Sequence, residues 1–223
     1  MARPTPAHRH AYADLIRGDG RCKAADMHRI VEVMYRLFGT LRDCRLVIAA
    51  NTRDEGIRVA LAADAHEEYG RGDAARSRAF QMRQVLHSLG YAELTPIHLG
   101  PKGENVLDAL VHYCRVEPPL KAIGCIWIGA ERNGAAFLGQ LLEPFRKTRA
   151  LPAAALSMFE LGHLECRERK HYLRIAVEPF LVNDDGRRMF HEGVRAGITL
   201  LDELWMSMLC DRHPSSRGPN DVS

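Results

Sequence analysis

The segment AADMHRIVEVMYRLF, residues 24–38, decides the fold class, because its apolar residues recur at the spacing of an α-helix. Four of them share one helix face: Ile30, Val31, Met34 and Leu37. The charged residues fall mostly on the other faces, as in a helix that packs one side against a core. Strand-like alternation is scarce in the rest of the chain. We therefore predict an all-α protein.

Glycine and proline divide the rest of the chain into further helices. Gly70 and Gly72 stop one long helix, and Pro118 with Pro119 ends another. Predicted helices cover about residues 7–17, 24–38, 42–69, 74–89, 103–116, 120–148 and 151–181, and a last one runs from a cap at Asn183, Asp184 or Asp185 to about Cys210. Seven or eight helices with short connections predict a single bundle domain over residues 1–211, with a polar, disordered tail over residues 212–223.

Composition limits the functional classes. The 223 residues carry a net charge of only +3, spread along the chain, which does not favour a partner that is a nucleic acid or a membrane surface. There is no apolar run of about 18 residues and no apolar centre of a secretory signal near residue 1. The six cysteines are scattered without a CxxC pair, as in a cytoplasmic protein with reduced thiols. We expect a cytoplasmic protein with a small-molecule substrate, and a homodimer is plausible.

The segment FELGHLECRERKHYLRI, Phe159–Ile175, concentrates groups that can bind metals. Glu168 and His171 are three residues apart and share a helix face. His163 lies five residues before Glu168 and points elsewhere in a regular helix. A π-bulge would bring the three side chains together, and such bulges favour functional sites. The alternative is a solvated face of paired acidic and basic side chains.

Two carboxylates stand in apolar surroundings upstream. Glu131 lies between CIWIGA and GAAFLGQLL, where a charged group is costly unless it has a partner, and a metal ion is one such partner. Glu68 follows the apolar stretch IRVALAADAHE, although its neighbour Glu67 could equally face inward. A glutamate at a helix end before glycine is often exposed. Carboxylate and imidazole groups on neighbouring helices are the ligands with which a bundle holds iron or manganese.

Three strings resemble the ligand motifs of the heme-oxygenase-like diiron oxidases and oxygenases. The first string, EEYGRGDAARSRAFQMRQVLHSLGY at residues 67–91, resembles the family's sequence of Glu, Gly-x-Gly, His and Leu-Gly. The glutamate of GAERNG resembles the family's second carboxylate ligand, and HLECRERKH resembles its final run of ligands. The resemblance extends from about residue 50 to the C-terminus. It implies a heme-oxygenase-like bundle in which five residues ligate metal: Glu68, Glu131, His163, Glu168 and His171.

The chain departs from this family pattern in two places. Arg78 stands ten residues after Glu68, where the family has a histidine, and a protonated guanidinium cannot ligate a metal. HLECRERKH also has one extra residue between His163 and Glu168. Losing one ligand leaves one iron of a pair under-coordinated, while Glu131, His163 and His171 could still hold a single iron. Arg78 could then bind a substrate carboxylate or phosphate, or it could be a surface residue.

The resemblance implies a non-heme iron oxidase or oxygenase with one or two Fe ions. Dioxygen (O2) would be its co-substrate, and the organic substrate would be a small amino-acid-like or fatty-acid-like molecule. A second hypothesis keeps the fold without metal, as in pyrroloquinoline quinone synthase and the thiamin-degrading enzymes. His163, His171 and Glu131 would then be acid–base groups or substrate contacts. A third is a non-catalytic binding or accessory protein that retains the fold.

Overall fold

The computed structural model describes residues 24–92, 96–148, 153, 156 and 171–210, and all regular secondary structure in those ranges is helical. The predicted all-α bundle is therefore confirmed. The predicted helix at residues 7–17, the tail and most of the histidine-rich segment, including His163 and Glu168, lie outside the described residues. No helix in the described ranges is long and apolar enough to cross a membrane.

Helix α1 spans Ala24–Asn51 and helix α2 spans Glu55–Glu68. The sequence predicted a break near residues 39–41, but Gly39 remains inside α1 and the break falls at residues 52–54. Asp54 explains why α2 begins at Glu55, because its side chain accepts a hydrogen bond from the amide of Ile57 at 2.8 Å and caps the helix. A glycine is tolerated inside a helix, whereas a cap defines where a helix begins.

A tight turn follows α2 and leads into α3, Arg78–Ser88. Gly70, Arg71 and Gly72 all have positive φ, and a Cβ at Gly70 would lie 2.6 Å from the backbone nitrogen of Ser77. Only glycine fits at such a position. Ser77 then caps α3 by accepting a hydrogen bond from the amide of Phe80 at 3.2 Å. The turn returns the chain so that the first residue of α3 lies beside the end of α2.

The middle of the chain forms one nearly continuous helical stretch of changing pitch. Helix α4 spans Gly100–Val116 and α5 spans Pro119–Ile123. The chain then winds as a π-helix over Gly124–Arg132, followed directly by α6, Asn133–Thr148. The sequence left open a π-bulge near His163, in a segment outside the described residues. The π-helix that is described carries Glu131 instead.

Helix α7 spans His171–Val177, a 3-10 turn covers Glu178–Leu181, and α8 spans Asp184–Cys210. Asn183 caps α8, as one of the predicted alternatives, because its side chain accepts a hydrogen bond from the amide of Gly186 at 2.7 Å. Helix α7 packs against α2.

Two long helices organise the packing of the bundle. Helix α1 packs against α2, α3 and α4, and its predicted apolar face is buried: Ile30, Val31, Met34 and Leu37 are at most 2% exposed. Helix α8 packs against α4, α5 and the π-helix. The contact of α8 with the π-helix is so close that a Cβ at Gly197 would lie 2.2 Å from the carbonyl oxygen of Cys125. This backbone contact fixes the segment that carries Glu131.

Candidate functional site

Arg45, on α1, connects two carboxylates that belong to different parts of the bundle. Its Nε donates to Oδ2 of Asp64, on α2, at 2.6 Å. Its Nη2 donates to Oε1 of Glu131, at the end of the π-helix. The side chain of Arg45 is buried, at 5% exposed, and those of Asp64 and Glu131 are largely buried, at 12% and 8%. One guanidinium therefore holds α1, α2 and the π-helix together.

A second arginine binds the remaining predicted carboxylate. The Nε of Arg78, on α3, donates to Oε2 of Glu68, at the end of α2, at 2.9 Å. The side chains are 15% and 12% exposed, respectively. The guanidinium of Arg78 also lies over the ring of Phe38 on α1, 5.3 Å from the ring centroid. Arg78 is thus a largely buried residue that joins three helices, and the prediction of a surface arginine is wrong.

The three ion pairs of these two arginines lie along the same side of the bundle. Asp64 and Glu68 are four residues apart on α2, so they project from one face on successive turns. Phe38 and Arg45 are seven residues apart on α1 and also share a face. We call this set the carboxylate–arginine cluster; its members are Arg45, Asp64, Glu68, Arg78 and Glu131. It lies where α1, α2, α3 and the π-helix meet.

The π-helix shapes the backbone next to Glu131. A π-helix leaves carbonyl groups displaced from their usual partners, and these need other donors. The side-chain amide of Asn133 supplies them, donating to the carbonyl oxygens of Ile128 at 3.1 Å and Gly129 at 3.0 Å. The GAERNG string thus encodes a local structure, with its asparagine bound back onto the preceding turn.

Sequence reasoning identified some members of this cluster correctly. Glu68 and Glu131 have largely buried side chains, their role as metal ligands stays a prediction, and the alternative that Glu67 faces inward is wrong. Glu67 instead pairs with Arg71 at 2.9 Å on the surface. His163 and Glu168 lie outside the described residues. His171 is the first residue of α7, its side chain is also outside them, and α7 packs against the helix that carries Asp64 and Glu68.

Arg45 and Asp64 were missed, although the sequence holds a signal for both. Arg45 follows Leu41 and Cys44 on the buried stripe of α1, and a charged residue in that register requires a partner. Asp64 lies in the apolar stretch before Glu68 and one turn from it. A search for charged residues on apolar helix faces would have found both residues, but would not have paired them.

The two described members of the five-residue ligand set do not fit a dinuclear iron site. Glu68 and Glu131 are each bound by an arginine, and a guanidinium remains protonated and cannot ligate a metal. Within the described ranges no group of three or more His, Cys, Asp or Glu side chains could hold a metal ion.

The buried thiols do not offer a nucleophile. Cys44, Cys114 and Cys125 are at most 1% exposed. Burial raises the pKa of Cys125 to about 12. A hydrogen bond with Cys44, together with burial, raises the pKa of Cys114 well above its usual range. Cys114 and Cys125 are therefore protonated near neutral pH, and all three side chains pack in the core.

Comparison with known proteins finds no family model that matches this chain and no curated protein that is similar to it. The likeness to the heme-oxygenase-like oxidases accordingly rests on the quoted motifs.

Proposed function

We propose that the protein binds and converts a small organic molecule inside a heme-oxygenase-like bundle without a dinuclear iron centre. One observation carries this proposal: Arg45 binds Glu131 and Arg78 binds Glu68, two of the carboxylates that the resemblance assigns to metal. The proposal keeps the cytoplasmic location predicted from the scattered cysteines.

In this proposal the chemistry belongs to side chains. Glu131 and the histidines His163 and His171 are the acid–base groups or substrate contacts, as the resemblance to the cofactor-free enzymes implies. Arg45 orients the Glu131 carboxylate through a charge-assisted hydrogen bond. Arg78 orients Glu68 in the same way. The arginines are positioning residues for these carboxylates.

A second candidate is an oxygen-activating oxidase or oxygenase that holds a single iron in the histidine-rich segment. The packing of α7 against α2 favours it, since α7 begins at His171 and α2 carries Asp64 and Glu68. The single-iron set predicted from the sequence was Glu131, His163 and His171. Because Arg45 binds Glu131, this candidate replaces it with Glu168, and two imidazoles with one carboxylate suit a mononuclear ferrous centre. The substrate would be amino-acid-like or fatty-acid-like, with dioxygen as co-substrate.

Elemental analysis after anaerobic loading with ferrous ion distinguishes these functions. We expect no stoichiometric iron in the purified, desalted protein. About one iron per chain, lost in His171→Ala and retained in Glu131→Gln, would establish the second candidate. About two irons per chain, reduced in both variants, would contradict the proposal and restore the dinuclear hypothesis. Small-molecule stabilisation without turnover would identify a binding protein instead of an enzyme.

A further inference from the structure

The carboxylate–arginine cluster places three carboxylates close together in a largely buried region. Their side chains are between 8% and 12% exposed. Taking a carboxylate out of water costs several kcal/mol unless a cation and further hydrogen bonds compensate. In a metal-binding bundle the metal ion supplies that compensation. In this chain, arginines contact all three carboxylates.

The geometry of Arg45 suits it to bridge two ligands. A guanidinium is planar and presents five N–H donors in a fixed arrangement. Nε and Nη2 of Arg45 donate to carboxylates of two different elements. A metal ion connects helices in the same way, by binding side chains from each of them. A lysine at this position would be a compact ammonium that lacks the fixed, planar arrangement of donors.

Arg78 occupies the other end of the cluster. It stands ten residues after Glu68, where the resembled family has a ligand histidine, and its Nε lies 2.9 Å from Oε2 of that same glutamate. The residue that departs from the motif is therefore the same residue that forms the ion pair with Glu68. The ring of Phe38 beneath the guanidinium adds a contact that a hydrated metal ion would not make.

We infer that the guanidinium groups of Arg45 and Arg78 take the place of metal ions in this bundle and join Asp64, Glu68 and Glu131 across its helices. This inference rests on the proposed function in that both dispense with a dinuclear centre. It goes further in assigning the cations, and it predicts that the stability of the cluster does not depend on any metal. Unlike a metal ion, an arginine cannot be removed by a chelator and stays protonated at all physiological pH values.

Thermal unfolding of the full chain, in EDTA and in excess Mn(II), tests this inference. Mn(II) is the probe because it binds oxygen and nitrogen ligands and is stable in air. Glu68→Gln and Glu131→Gln are compared with the wild type. The matched control is Glu67→Gln, which removes the adjacent surface glutamate that pairs with Arg71.

We expect the wild-type Tm to be equal in the two conditions. Glu131→Gln should lower it by about 6–12 °C in both, because it removes one of the two carboxylates that bind Arg45. Glu68→Gln should lower it by a smaller amount in both, because it removes the ion pair with Arg78. Glu67→Gln should leave it unchanged. Glu131→Gln still leaves Arg45 with Asp64, so we expect it to fold. Titration of the wild type with Mn(II), followed by electron paramagnetic resonance, measures metal binding without the need for a variant.

Two other outcomes have definite meanings. A wild-type Tm that rises by about 5–10 °C in Mn(II), with the rise lost in Glu68→Gln or Glu131→Gln, would overturn the inference. A rise that both variants retain would place the ion away from these carboxylates. That result would support the inference that arginines neutralise these carboxylates, and it would contradict the proposed function without a metal. The inference and the proposed function can therefore fail separately.

Discussion

Arg78 donates from Nε to Oε2 of Glu68 at 2.9 Å, across the turn formed by Gly70–Gly72. The first residue of α3 is thereby bound to the last residue of α2. The two residue types differ in what they can do beside a carboxylate: a neutral imidazole can share a metal with a glutamate, whereas a guanidinium neutralises the glutamate directly.

Removing Arg45 should destabilise the protein severely. Arg45→Met leaves Asp64 and Glu131 buried without the guanidinium, and we expect a loss of about 3–5 kcal/mol in the free energy of unfolding. Urea denaturation measures it. Arg53→Met, at an exposed position in the α1–α2 connection, is the control and should change stability by less than about 0.5 kcal/mol. Equal effects of the two variants would show that Arg45 contributes no special stabilisation.

Replacing the whole Arg45 triad with apolar residues should restore most of that loss. In Arg45→Met/Asp64→Leu/Glu131→Leu no charge of the triad remains to be desolvated, and we expect stability within about 1 kcal/mol of the wild type, or above it. The same urea experiment applies. A triple variant less stable than Arg45→Met alone would mean that the carboxylates are stabilised by something other than this arginine.

The contact between α8 and the π-helix should not tolerate a methyl group. A Cβ at Gly197 would lie 2.2 Å from the carbonyl oxygen of Cys125, so Gly197→Ala must displace one backbone and should cost about 1–3 kcal/mol or more. Gly134→Ala is the matched control: its Cβ would meet only Leu201, at 3.8 Å. Because alanine favours helix, the control should gain about 0.5–1 kcal/mol. Similar effects of the two variants would contradict this packing.

Much of the fold could be predicted because helical periodicity is a local property. The buried face of α1 follows directly from the spacing of Ile30 and its neighbours. The α1–α2 boundary was misplaced because Gly39 looks like a helix end, whereas the determining signal is the cap at Asp54. Helix ends thus depend on side-chain hydrogen bonds that spacing alone does not reveal.

The candidate site was only half predictable, because its partners are distant in sequence. Glu131 was correctly identified as an anomalous buried carboxylate, but its partner Arg45 lies 86 residues away. No spacing rule connects the two residues. For Glu68 the partner was visible: Arg78 had been noted as a departure from a ligand motif, although it was interpreted as a substrate contact or a surface residue.

Stability should decrease at high pH because of Tyr91. Burial, aided by the hydrogen bond that its hydroxyl donates to Glu32 at 2.7 Å, raises its pKa from 10.0 to about 12. Folding therefore favours the neutral tyrosine. Its contribution to the free energy of unfolding is complete below about pH 10 and is lost as the pH rises towards about 12. Burial also raises the pKa of Tyr113 to about 12, so it adds to the same decline.

Urea denaturation at about pH 8 and about pH 11 tests this, with Tyr91→Phe for comparison. The free energy of unfolding of the variant should be lower by about 1 kcal/mol at the lower pH, because the hydrogen bond is missing. Between the two pH values it should fall less steeply than that of the wild type. Phenolate absorbance gives the titration directly. If Tyr91 ionised near its unperturbed pKa in the folded protein, the proposed environment of its hydroxyl would be wrong.

The most direct test of the account is a crystal structure of the wild-type protein soaked in excess Mn(II), with anomalous data to locate the ion. We predict that Arg45 and Arg78 remain hydrogen-bonded to Asp64, Glu131 and Glu68, with no anomalous peak within about 2.0–2.6 Å of those carboxylate oxygens. A peak shared by Glu68 and Glu131, with both guanidinium groups displaced, would contradict the claim that arginine replaces metal in this bundle.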